Sequence, residues 1–258
     1  EQIDRVQEDD SVKAVVLRVD SPGGTVTGSD YILHHLREML AERDIPLVVS
    51  MGSLAASGGY YVSMAVGDTP DSIFAEPTTW TGSIGVIIPH YNVAGLMEEW
   101  KIEDDSIKSH PLKGLGSITS KMSEAERAVL QGLVDESFEG FKEVVRSGRP
   151  EFQDDPEALN KIATGQVYTT NQAIANGLVD QSGFIEAAIE RVVELANLRV
   201  ENTQVVEYEM PRGLLDSVLY GPSAKSHGLA GLLDLTAPRA YYLCTWLPAV
   251  LANEHEAR

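Results

Sequence analysis

The chain has 258 residues, enough for one large domain or two small ones with a full apolar core and no need of disulfides or metals. Hydrophobic residues make up 43% and charged residues 23%, which excludes a wholly disordered or fibrous chain. Acidic residues number 39 against 20 basic ones, for a formal charge of −19, which argues against nucleic-acid or anionic-lipid partners. The single cysteine, Cys244, excludes an internal disulfide framework and a multi-cysteine zinc site.

The sequence opens without Met, in a charged stretch over residues 1–10 that has no signal-peptide core. It reads as a piece cut from something longer. Residues 12–19 (VKAVVLRV) form a β-branched apolar run, ended by the turn signal DSPGG. Residues 29–41 carry Ile32, Leu33, Leu36, Met39 and Leu40 at helical spacing. Residues 46–50 (PLVVS) predict a short buried strand, and residues 57–66 a helix. Strands are expected at 72–75, 83–88 and 105–109, with a helix at 91–100 between them. This alternation argues for an α/β fold with a mainly parallel sheet and flanking helices.

The second half is more helical. Residues 123–147 form a long amphipathic stretch with Ser123 as N-cap, and further helices are expected at 156–163, 170–176 and 185–197. Residues 201–209 alternate weakly and predict an edge strand. Beyond Met210 the periodicity fades into an irregular C-terminal tail with apolar pieces at 214–219, 229–235 and 241–251. The longest apolar run, residues 240–252, contains Thr245 and Pro248 and falls short of the roughly 20 residues of a membrane span.

The candidate nucleophile is Ser57, in SMGSLAASGGYYVSMA (residues 50–65). A serine at a helix start lies beside exposed N–H groups suited to an oxyanion, and glycines let a substrate backbone come close. Read alone, the same stretch also fits a structural helix start with Ser57 as N-cap. DSPGGTV (residues 20–26) could aim a bare N–H into a cleft, or be an ordinary turn. A Ser-His-Asp triad would need a placeable histidine, yet His34 and His35 sit mid-helix, His227 and His255 lie in the tail, and His90 and His110 carry no specific signal. A lysine can replace histidine where burial keeps its amine neutral. Lys113 stands in an irregular segment among mostly apolar neighbours, although any single lysine is most often solvated. No HExxH, Walker or EF-hand motif appears, and the glycines Gly82 and Gly85 have no Walker lysine after them.

Together these segments, with TGSIGV (residues 81–86) and GQVYTTNQAIANGLVDQSGF (residues 165–184), resemble the signal peptide peptidase A (SppA) serine peptidases, relatives of Clp protease and the crotonases. They stand in the family's order and cover roughly residues 10–197. The resemblance implies a ClpP/crotonase-like fold and a Ser/Lys dyad. Ser57 matches the serine of A-A-S-G-G-Y, and Lys113 occupies the place of the lysine, with Lys108 as the fallback base. Gly24 and Gly58 would supply the oxyanion N–H groups, and Ser83 would orient the lysine amine. The resemblance implies no cofactor and no metal.

On this reading the peptidase domain spans residues 1–200, and residues 201–258 form an extension suited to an oligomer contact. Substrates would be unfolded apolar peptides such as signal-peptide remnants. The protein would be a homo-oligomer, held at a bacterial membrane by an upstream region, with the catalytic domain outside the cytoplasm. The family's strand before the first helix is missing here. Three alternatives remain: the C-terminal half of a tandem SppA taking its lysine from an upstream domain, a non-catalytic scaffold, and a crotonase-type acyl-CoA enzyme. The long tail, and Pro111 and Leu112 where the short form has smaller residues, lean toward the tandem form. Lys113 leans toward a self-contained dyad.

Overall fold

The computed structural model describes residues 1–208 and 240–243. Its strands are β1 (Val15–Ser21), β2 (Gly23–Thr25), β3 (Leu47–Ala56), β4 (Ile73–Ala75), β5 (Trp80–Gly82), β6 (Val167–Thr169), β7 (Gln181–Ser182) and β8 (Tyr241–Leu243). Its helices are α1 (Gln2–Glu8), α2 (Val26–Arg43), α3 (Gly58–Ser63), α4 (Ala94–Glu99), α5 (Glu124–Gly148), α6 (Glu151–Asp154), α7 (Pro156–Ile162), α8 (Thr170–Ala175) and α9 (Ile185–Leu195). The chain divides into two units. Among the described residues, one comprises residues 1–86, 138–208 and 241–243; the other comprises residues 87–137 and 240.

The first unit is built on β3. Eight of its ten residues are buried, the mark of a central strand covered on both faces. The sheet order is β6-β5-β3-β4-β7, with β1 also paired to β3. All pairs are parallel except β5 with β6. Side-chain alternation splits β3 between two cores. Leu47, Val49 and Met51 join Leu33, Leu36 and Met39 of α2 and Tyr60 and Tyr61 of α3. Val48 points the other way, into a cluster with Phe74 and with Ala188 and Val192 of α9. A separate antiparallel pair joins β2 to β8.

Local chemistry sets the ends of these elements. Thr25 caps α2 by accepting from the Gly28 N–H at 3.1 Å, and Asp44 ends it in the left-handed region at φ 50°. Thr169 and Gln172 form a reciprocal capping box at α8. Arg149, buried, donates to Gly177 O at 2.7 Å and to Asp180 at 2.6 Å, and Asp180 accepts the Ser72 and Ile73 N–H groups at the start of β4.

In the second unit α4 is followed by a long irregular segment and a 3-10 turn, Pro111–Gly114. Val93 N–H donates to Ile118 O at 2.8 Å. Asp104 accepts from Ser106 and Thr119, which holds its pKa down to about 2. Ser123 and Glu126 cap each other at the start of α5.

The α/β architecture with a mainly parallel sheet agrees with the sequence expectation; several elements differ from it. The short strand at 46–50 is ten residues long and runs on to Ala56, because small residues keep pairing with β1 and β5. The helix at 57–66 is α3 followed by a 3-10 turn, Met64–Val66. The strand expected at 83–88 is instead Trp80–Gly82. Gly82 at φ 83° and Ser83 at φ 52° turn the chain off the sheet, so Ile84 enters the core from an irregular segment. Residues 105–109 form no strand: all five are exposed, with no partner to pair. Over residues 201–208 there is a 3-10 turn, Val200–Asn202, and no strand. In the tail, the pieces at 214–219 and 229–235 lie outside the described residues, while Tyr241–Leu243 forms β8.

Candidate active site

The longest strand of the sheet delivers Ser57. The last sheet bond of β3 is donated by the Ser57 N–H itself, to Gly82 O at 2.7 Å. The chain then turns into α3, whose first turn closes with Tyr61 N–H donating to Ser57 O at 2.8 Å. Between strand and helix, Ser57 is held at φ 55° and ψ −113°. A side-chain-bearing residue in such a region costs about 1–3 kcal/mol and persists only where its surroundings dictate it. Its side chain is fully buried, and its Oγ has no hydrogen-bond partner. A buried, unpartnered hydroxyl on a strained strand-to-helix turn is an arrangement that structure alone would disfavour twice.

Glycines bring the neighbouring backbone close. A Cβ on Gly58 would lie 2.4 Å from Ser29 Oγ and 3.0 Å from the Gly24 nitrogen. A Cβ on Gly23, which sits at φ 108°, would lie 2.8 Å from the Gly58 nitrogen and 2.0 Å from Tyr242 O. The first turn of α3 and strand β2 therefore meet backbone to backbone, with the amides of Gly24 and Gly58 on the contact. Ser83 follows Gly82, the residue that accepts the Ser57 N–H, and is itself buried, with its N–H on Gln166 O at 2.8 Å. A cavity of about 380 Å³ opens beside these glycines, lined by Leu17, Val19, Ile32 and Val62 together with Gly24 and Gly58.

Strand β8 lies antiparallel on β2, with Gly24 opposite Tyr242. The Tyr242 ring stacks on Tyr61 at 5.0 Å and packs on Phe141 at 4.4 Å. Tyr61 OH donates to Asp30 at 2.8 Å. Burial, then the bond to Asp30, raises the Tyr61 phenol; burial raises Tyr242 to about 12.

Of the residues singled out from sequence, Ser57, Gly58, Gly24 and Ser83 come together in the first unit. Lys113 and Lys108 belong to the second, both exposed. Lys113 sits on the 3-10 turn with its N–H on His110 O at 2.9 Å, and the Lys108 side chain lies over Gly114. On the outer side of α2 His35 bonds Glu38 at 3.2 Å and His34 lies 3.9 Å from it, and His90 and His110 belong to the second unit. Sequence reasoning named Gly24 and missed Gly23, whose positive φ is the firmer structural demand. It also missed Tyr242: no local signal couples YYL to a glycine strand so far away in the chain. The glycine doublet itself was the one available clue to an edge that accepts another backbone.

The family model described as peptidase family S49 matches residues 40–199. The chain is 39% identical over 208 residues to a putative signal peptide peptidase SppA of Enterococcus faecium, covering 81% of this chain and 58% of that protein. It is 38% identical over 199 residues to Protease 4 of Salmonella typhi, covering 77% of this chain and 31% of that protein. It is 35% identical over 229 residues to a putative protease, slr0021, of Synechocystis, covering 89% and 79%. The chain thus spans a little over half of the first relative and about a third of the second.

Proposed function

Because the chain belongs to peptidase family S49, we propose that it is a serine endopeptidase that cuts unfolded apolar peptides, such as signal-peptide remnants, with Ser57 as nucleophile and Lys113 as base. The Lys113 amine, acting as the base, takes the proton from Ser57 Oγ as Oγ attacks the peptide carbonyl. The N–H groups of Gly24 and Gly58 hold the oxyanion, and Ser83 orients the amine. The ammonium gives its proton to the leaving amine, and the same amine then activates the water that opens the acyl-enzyme.

The observation that carries this reading is Ser57: a buried, unpartnered hydroxyl held at positive φ beside two glycine amides. Support for an apolar peptide substrate comes from the cavity beside Gly24 and Gly58, lined by Leu17, Val19, Ile32 and Val62. Exposed Trp100, Ile102 and Ile107 favour extending the proposal to a homo-oligomer. Among the described residues no helix is long and apolar enough to cross a membrane.

Casein hydrolysis by the chain, beside folded Ser57→Ala, Lys113→Ala and Lys108→Ala, tests the proposal. The expected result is loss in the first two and retention in the third. Hydrolysis surviving Ser57→Ala would exclude the serine mechanism. The share of Protease 4 that the chain spans, 31%, favours one second reading, a half that borrows its lysine from elsewhere in a longer protein. No hydrolysis by the chain alone, restored in the longer protein, would select it; full activity in Lys113→Ala would overturn Lys113 as the base.

A further inference from the structure

We propose that His34, His35 and Glu38 on the outer face of α2 form a binding site for a divalent transition metal of the Zn²⁺ class. The argument starts from helix geometry. Glu38 follows His34 by four residues and His35 by three, the two spacings that bring side chains together on a helix. One ligand atom from each lies within 4.8 Å of the others. Glu38 Oε2 is 3.2 Å from His35 Nδ1 and 3.9 Å from His34 Nε2. Metal–donor bonds of about 2.0–2.1 Å need donors roughly 3.3 Å apart, so small side-chain rotations close the site. The Tyr31 ring packs edge-on against His35 at 4.3 Å, which limits that imidazole's freedom.

The donor set selects the metal class. Two imidazoles with one carboxylate suit Zn²⁺, Ni²⁺, Co²⁺ or Cu²⁺, whereas Mg²⁺ and Ca²⁺ take all-oxygen sites. Charge favours a cation here as well. Arg37, the nearest guanidinium on the helix, is turned away, donating to Met64 O at 3.2 Å and Ser147 Oγ at 2.6 Å. Three protein donors leave a fourth position for water or for a donor from another molecule. This site uses nothing of the Ser57 region and does not depend on the peptidase reading.

The test is calorimetric titration of Zn²⁺ into the full chain free of any polyhistidine tag, with Mg²⁺ as the control for its acidic surface. The expected result is one Zn²⁺ bound per chain at least ten times more tightly than Mg²⁺. Glu38→Gln should weaken it by about tenfold or more, and the His34→Ala/His35→Ala double variant should abolish it. All three side chains are at least one-third exposed, so the variants should fold; circular dichroism checks this. Co²⁺ should give a visible d–d spectrum in wild type that the double variant lacks. Equal Zn²⁺ affinity in wild type and double variant would overturn the proposal, as would Zn²⁺ binding no tighter than Mg²⁺.

Discussion

Replacing Ser57 should make the protein more stable while removing its activity. Its positive φ stores about 1–3 kcal/mol. Its buried, unpartnered hydroxyl forfeits a further 1–3 kcal/mol or so. Ser57→Ala keeps the backbone strain and removes the hydroxyl, for an expected gain of about 1 kcal/mol. Ser57→Gly relieves both and loses about 0.4–1 kcal/mol through a freer unfolded chain, for a net gain of about 2 kcal/mol. In a chain of this size each kcal/mol moves Tm by about 2–4 °C. Calorimetry should therefore place Ala about 2–4 °C and Gly about 4–8 °C above wild type. Casein hydrolysis by both should fall to background. The order wild type, Ala, Gly is the signature of stability given up at a working residue. A Tm for either variant clearly below wild type would refute the reasoning, because Ser57 would then be an ordinary structural serine.

Adjacent glycines should respond in opposite ways. Gly23→Ala forces a Cβ to 2.0 Å from Tyr242 O at φ 108° and should cost about 2–6 kcal/mol in urea unfolding, whereas Gly24→Ala meets nothing within 4 Å, keeps its N–H and should stay within about 0.5 kcal/mol. Arg149→Met leaves the half-buried Asp180 carboxylate with only the Ser72 and Ile73 N–H groups and should cost about 1–3 kcal/mol by the same measurement. Burial raises the phenols of Tyr60, Tyr61 and Tyr242, the last to about 12. The unfolded chain releases these protons from about pH 10. Their contribution is therefore complete below pH 10 and lost as pH rises through about 12. Tyrosinate absorbance against pH should show these three phenols among those that ionise late, as the protein unfolds; burial raises Tyr168 and Tyr208 as well.

Much of the fold was legible because β-branched runs and helical spacings are local signals. The misreadings have local causes too. The apolar run read as a strand ends at Ser50, yet Gly52 lets Asp20 pack where a Cβ would lie 2.9 Å away, so β3 continues. Residues 84–88 carry a strand's apolar pattern, but a strand also needs extended backbone, and Gly82 and Ser83 abandon it. Ser83 was named through the family resemblance, whereas Ser57 and the glycine segments that hold Gly24 and Gly58 were findable because small residues at strand ends are written in the sequence. Their backbone-to-backbone contact, and the seat it offers Tyr242, depend on register and pairing that no single segment encodes.

Helix α2 ties these features together. Its N-cap, Thr25, is the last residue of the glycine strand. Ser29 lies beneath Gly58, and Asp30 holds the Tyr61 hydroxyl. Leu33, Leu36 and Met39 fix that face in the core, leaving His34, His35 and Glu38 outside. One face supports the candidate active site and the other carries the metal ligands, with no residue shared. Distant sites without common partners behave additively. Glu38→Gln should therefore leave casein hydrolysis unchanged without added metal, and Ser57→Ala should leave the Zn²⁺ affinity unchanged. A loss of hydrolysis in Glu38→Gln would mean that the outer face of α2 reaches the site through the helix, and the two functions would have to be read as one.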